Sequence, residues 1–125
     1  MQLSSFEVAH ARGDAGLIID DPLIRCFAGD QMVLAYVSRQ ALMDYFRVPG
    51  DQRISLNEWN LVVDRHLDGF KPIIQQKFEG DDWDIYNSYN QSYPKIVVTL
   101  QDMQRSEYPF SMDVLNPRAG FQPLR

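Results

Sequence analysis

Cysteine is almost missing from this chain. Cys26 stands alone among 125 residues, so no intramolecular disulfide can close and no cysteine-based zinc site can form. A reducing compartment is the simplest reading. Histidine is nearly as scarce: His10 and His66 are the only two, which excludes a histidine-rich metal centre. No apolar run approaches the roughly 18 residues of a membrane span. The N-terminal "MQLSSFEVAHARGD" has neither the basic start nor the apolar stretch of a secretory signal. Positive charge is in short supply, with 12 Lys and Arg against 17 Asp and Glu, a net charge of −5. The arginines are scattered singly. Nucleic acid and anionic membrane surfaces both demand a basic face, so neither is an expected partner. No P-loop, dinucleotide fingerprint, G-x-S-x-G or H-E-x-x-H occurs, and no cofactor is implied.

What is present is ordinary globular material. The 45% hydrophobic and 23% charged fractions lie well inside the range of folded proteins. The length suits one core, hence a single domain over residues 1–125 and a cytoplasmic location. "SSFEVAHARGDAGLIID" reads as a strand, a turn at Gly13-Asp14 and a second strand. Leu23 to Ala28 and Met32 to Val37 are apolar runs of strand length around Gly29-Asp30, a hairpin signature. Ser38 is placed to cap a short helix whose Ala41, Leu42, Tyr45 and Phe46 share one face, with Pro49 and Gly50 as stops. Ser55 and Glu58 form a capping box. Beyond them Trp59, Val62, Val63, Leu67, Phe70, Ile73, Ile74 and Phe78 make a continuous helical stripe. Because that phase runs through Gly69 and Pro72, the pattern predicts one long helix, kinked around Asp68 to Pro72 and ended by Gly80. "DDWDIYNSYNQSYP" has no clean period and reads as a loop. "KIVVTL", Lys95 to Leu100, reads as the last strand, followed by an extended or fraying tail.

Three stretches invite a functional reading. "VDRHLDGFKPII" gathers Asp64, Arg65, His66 and Asp68, a mixture that catalysis often uses. On a helix, however, neighbours at i and i+2 diverge, while a base and its orienting carboxylate must touch. The bland reading is charge on a helix, with His66 in the apolar stripe as a core histidine. "GDDWD", with Asp81, Asp82 and Asp84, offers oxygen ligands but lacks the spacing of a calcium loop, so a solvated acidic helix exit is the plainer account. "YNSYNQSY" supplies Tyr86, Tyr89 and Tyr93 among amides and hydroxyls, the composition of recognition surfaces. Covering a sheet edge is the competing role. "RGD" at Arg12 to Asp14 carries no weight. Tyr86, Tyr89, Tyr93, Asp82 and Asp84 are the candidate binding residues, and none is assigned to catalysis or metal.

The runs "CFAGDQMVLAYVSRQALMDYF", "DRHLDGFKPIIQQKF" and "IVVTLQDM" resemble a small proteobacterial family of stand-alone proteins of unknown function. The shared pattern V-S-x-x-A-L-x-D-x-F falls on Val37, Ser38, Ala41, Leu42, Asp44 and Phe46, and a closing aspartate on Asp102. The resemblance covers residues 23–103, leaving 1–22 and 104–125 as extensions. Leu67 stands where members carry an arginine. The resemblance implies a ββααβ order and brings no catalytic residues.

The expected fold is therefore α+β: an antiparallel sheet, made of the hairpin and a C-terminal strand, with two helices on one face, the second long and kinked. The expected function is a non-catalytic protein-binding or regulatory module, with a protein partner or a second copy of itself. The alternatives are an acidic inhibitor of a basic toxin or nuclease, or a small enzyme using carboxylates such as Asp44, Asp64 or Asp102.

Overall fold

The computed structural model describes residues 1–9 and 21–115. The turn expected at Gly13-Asp14, the strand after it and the RGD triplet lie outside them. Among the described residues the fold is α+β, with five strands in one mixed sheet and four α-helices. Three strands precede the helices: β1 (Leu3–Val8), β2 (Leu23–Ala28) and β3 (Gln31–Val37). Next come α1 (Arg39–Tyr45), α2 (Leu56–Arg65) and α3 (Leu67–Glu79), then β4 (Asp84–Ser88), β5 (Gln91–Val98), α4 (Leu100–Arg105) and a short 3₁₀ turn at Asp113–Leu115. The sheet order is β1-β2-β3-β5-β4.

The first hairpin follows its sequence signature. Cys26 faces Val33, Ala28 faces Gln31, and Gly29 takes φ +63 in the turn, a conformation that needs no Cβ. Ser38 caps α1 by accepting the Ala41 N–H, and the Ser55/Glu58 capping box opens α2. Ile24, Cys26, Val33, Ala35, Val37, Ile96 and Val98 alternate along the strands onto one face and are buried. They form a single core with Leu42 of α1, Trp59 and Val62 of α2, Phe70 and Ile74 of α3, and Met103 of α4.

Four expectations are corrected. The sheet is not purely antiparallel: β5 lies parallel to β3, with Leu34 opposite Lys95 and Val37 opposite Val98. A parallel neighbour requires a long crossover, and the three central helices supply it. The single kinked helix is two helices, and the break lies at His66 (φ −112, ψ 29) rather than at Asp68 to Pro72. Restarting at Leu67 puts the carbonyl of Asp68, which Pro72 crowds, in the first turn of α3, where the backbone has room to splay. Residues 84–94, expected as loop, form β4 and the start of β5. The tail after Val98 is not simply extended, since Thr99 and Asp102 make a second capping box for α4.

The two edges of the sheet differ. β1 carries a bulge between Ser4 and Glu7, with Ser5 at φ +58. Its backbone is bracketed by Gln75 of α3, which accepts the Leu3 N–H at 2.8 Å and donates to the Met1 carbonyl at 2.9 Å. Among the described residues β4, the other edge, has β5 as its one strand neighbour.

Candidate functional site

The chain reaches β4 through a tight reversal. Asp82 donates its N–H to the Lys77 carbonyl at 2.8 Å and Asp81 donates to Phe78 at 3.2 Å, the pair of bonds that closes a helix in a Schellman turn. Asp81, not Gly80, takes the left-handed position, at φ +56; aspartate tolerates it better than most side chains. Trp83 then folds back on Phe78, its ring stacked at 6.0 Å and its Nε1 donating to the Phe78 carbonyl. This contact anchors the hairpin to α3.

Beyond that anchor β4 runs along the outer side of β5. Asp84 pairs with Lys95, Ile85 with Pro94, Tyr86 with Tyr93, Asn87 with Ser92, and Ser88 with Gln91. The main-chain ladder between β5 and β3 begins only at Lys95, although Gln31 Nε2 of β3 still donates to the Ser92 carbonyl at 3.4 Å, so the hairpin arm of residues 85–94 keeps β5 beside β3. The two-residue turn makes Ser88 and Gln91 a hydrogen-bonded pair. By alternation Asp84, Tyr86 and Ser88 bond to β5, while the N–H and C=O groups of Ile85 and Asn87 point to the free edge. The same alternation turns the nitrogen of Pro94, which has no hydrogen, toward β3. The parallel ladder accordingly stops there.

β4 is wet on both faces. Ile85 is 55% exposed although it points to the helix side, Tyr86 is 41% exposed, and Tyr89 at the tip is fully exposed with φ +56. A positive φ suits the first position of a tight hairpin turn but strains a tyrosine there. Ser92 Oγ donates to Asn87 Oδ1 at 2.6 Å, and Tyr93 OH donates to Gln91 Oε1. Tyr86, Tyr89 and Tyr93 are thus gathered on one arm: Tyr86 and Tyr93 side by side on the face away from the helices, Tyr89 at the turn.

Asp82 and Asp84 sit at the root of this arm, and Asp82 has part of its charge met. Asp82 lies 3.3 Å from Lys77 Nζ, and Asp84 is directly across from Lys95. Lys77 also holds Asp102 at 2.7 Å, tying α3 to α4. Burial works against the charge on each member of this pair, yet their mutual attraction wins. With Asp82 it raises the pKa of Lys77, and with the Thr99 bonds it lowers that of Asp102. Among the described residues, no three His, Cys, Asp or Glu side chains converge to hold a metal ion.

The other candidate residues are not assembled into a site. Asp44 and Asp64 are exposed on different helices, and Asp102 is engaged by Lys77 and the Thr99 cap. Asp44 lines a cleft of about 650 Å³ beside Arg39, Asp51 and Arg53, where acids and bases balance. His66 is 8% exposed, with Nδ1 3.0 Å from Tyr108 OH and Nε2 3.1 Å from Ser111 Oγ. The Ser111 backbone N–H also points at Nε2, at 3.3 Å. A backbone N–H can only donate, so Nε2 is the acceptor and Nδ1 carries the proton of a neutral ring. Burial first, and the Arg65 charge second, hold its pKa below 6.5. His66 is a latch for residues 108–111. Tyr108 and Ser111 lie 42 and 45 residues away along the chain, and nothing in the local sequence signals them.

Comparison with protein-family models, with curated proteins and with solved structures finds no match for this chain.

Proposed function

We propose that the protein is a non-catalytic protein-binding module that accepts an extended segment of a partner along the free edge of β4. One observation carries the reading: among the described residues β4 has an open edge without the usual protections, while the opposite edge is guarded. From Ile85 to Ser88 the strand has no charge, no proline and no bulge, the devices that normally blunt an edge. Strand addition draws affinity from main-chain hydrogen bonds and selectivity from alternate side chains. The edge-facing groups of Ile85 and Asn87 serve the first role and the tyrosines the second. The recognition residues are therefore Tyr86, Tyr89 and Tyr93, with Ile85 and Asn87 added. Asp82 and Asp84 border them.

The alternative, an acidic inhibitor of a basic protein, draws on Asp81, Asp82 and Asp84. The ion pair of Asp82 with Lys77 leaves less free charge than that role would use. The carboxylate-enzyme reading gains nothing from acids that stand apart.

A photo-activated cross-linker at Ile85, introduced in the native host, tests the edge. Cross-links to another polypeptide are expected there and not from Gln40 on α1, and Asn87→Pro should abolish them. Equal yields from both positions, or none from Ile85, would reject the module.

A further inference from the structure

The β4 edge matches itself. In a two-fold antiparallel pairing centred on Tyr86, Ile85 of each copy faces Asn87 of the other. These two residues direct their N–H and C=O groups outward, so the arrangement makes four main-chain hydrogen bonds and leaves no edge group of either residue unpaired. Tyr86 meets its own counterpart at a site without main-chain bonds between the pair, where side chains approach most closely and aromatic pairs stabilise best. The Tyr86–Tyr93 pair of each arm then continues into a ladder of four rings across the axis.

Charge allows this register. Asp84, the only ionised residue of β4, falls opposite Ser88 of the other strand and can accept its hydroxyl. The two Asp84 carboxylates are offset by four residues, about 13 Å along the strands, beyond the roughly 8 Å screening length of physiological salt. The bulge and the Gln75 bracket on β1 stop further addition, so the assembly closes at two copies.

Resting on the binding-module reading, we infer that the segment β4 accepts is β4 of a second copy, in antiparallel two-fold register about Tyr86. Five residues per strand make a small interface, typical of weak and reversible association. A dissociation constant of roughly 10–100 µM is expected. Each copy carries a net charge of −5, so added salt strengthens the dimer, opposite to its effect on a complex with a basic protein.

Sedimentation velocity across concentration and salt, on the whole chain, reads the first part. A dimer that grows with both is expected, and Tyr86→Lys, which places like charges face to face on the axis, weakens it roughly tenfold. A strict monomer up to about 1 mM overturns the inference, as does a Tyr86→Lys variant that dimerises as well as wild type. Oxidative cross-linking of Tyr86→Cys, Ile85→Cys and Asn87→Cys reads the register, with the native Cys26 buried out of reach. Only Tyr86→Cys puts two sulfurs across a pair with Cα atoms about 4.5 Å apart, while the other two are offset to more than about 7 Å. Preferential linkage in Ile85→Cys or Asn87→Cys overturns the register. All three positions are exposed, so folding is not at risk. A strict monomer that still cross-links another polypeptide from Ile85 in cells sinks the dimer and leaves the module standing. Loss of both results sinks both.

Discussion

His66 shows how a residue that looks catalytic in the sequence serves the fold. Its neutral ring accepts the Ser111 N–H, and burial with the Arg65 charge disfavours protonation, although Ser111 and Asp113 pull the other way. The unfolded chain binds a proton near 6.5 while the folded chain resists. The latch's contribution is therefore complete above pH 6.5 and lost as pH falls toward the lower folded value. Melting temperatures measured from about pH 7 to 5 should fall for the wild type, and His66→Gln should flatten that step. An unchanged step would remove His66 as its source. Gly69 supports the same latch. A Cβ there would sit 2.6 Å from Tyr108 Cγ and 2.7 Å from Phe110 Cε1. Gly69→Ala should destabilise by about 1–2 kcal/mol despite the better helix propensity of alanine, because overpacking exceeds that gain. Urea unfolding would measure it, and a stabilised variant would show that the 108–110 segment yields freely.

Elements whose signals are local were legible. The β2–β3 hairpin, the Ser38 cap and the Ser55/Glu58 box each rest on residues within a few positions of one another, and the structure has all three. The β4–β5 arm was not legible for a physical reason. A strand wet on both faces has no alternation of apolar and polar residues, and its turn, Tyr89-Asn90, has no glycine. The break at His66 was misplaced because the apolar stripe keeps phase across one irregular residue. The attachment of the arm makes its own prediction: Trp83→Ala removes the stacked ring and its bond to Phe78. Amide exchange should accelerate in residues 85–94 while β2 and β3 stay protected, at a global cost of about 1–2 kcal/mol. Uniform acceleration would mean that the arm is integral to the core. The α3–α4 clasp is tested by Asp102→Ala, which removes an ion pair and half a capping box. A loss of about 2 kcal/mol is expected. Because the folded pKa of Asp102 lies below 3.8, that stability is present above pH 3.8 and disappears as pH falls through the folded value. The variant should accordingly lose less stability than wild type on acidification.

At the scale of the whole molecule, one core joins residues from Leu3 of β1 to Leu115 after α4. A single cooperative unfolding transition is expected, with calorimetric and van't Hoff enthalpies equal; two separated transitions would show that the core is divided. Among the described residues no helix is long and apolar enough to cross a membrane. Composition and periodicity determined the α+β class, the first hairpin and the starts of α1 and α2, because each depends on short-range pattern. Only the tertiary structure decided that β5 runs parallel to β3, that Ser111 and Tyr108 close on His66, and that, among the described residues, one sheet edge is guarded while the other is open. Those facts depend on contacts between residues tens of positions apart, and whether an edge is free depends on what packs beside it, which no local pattern encodes.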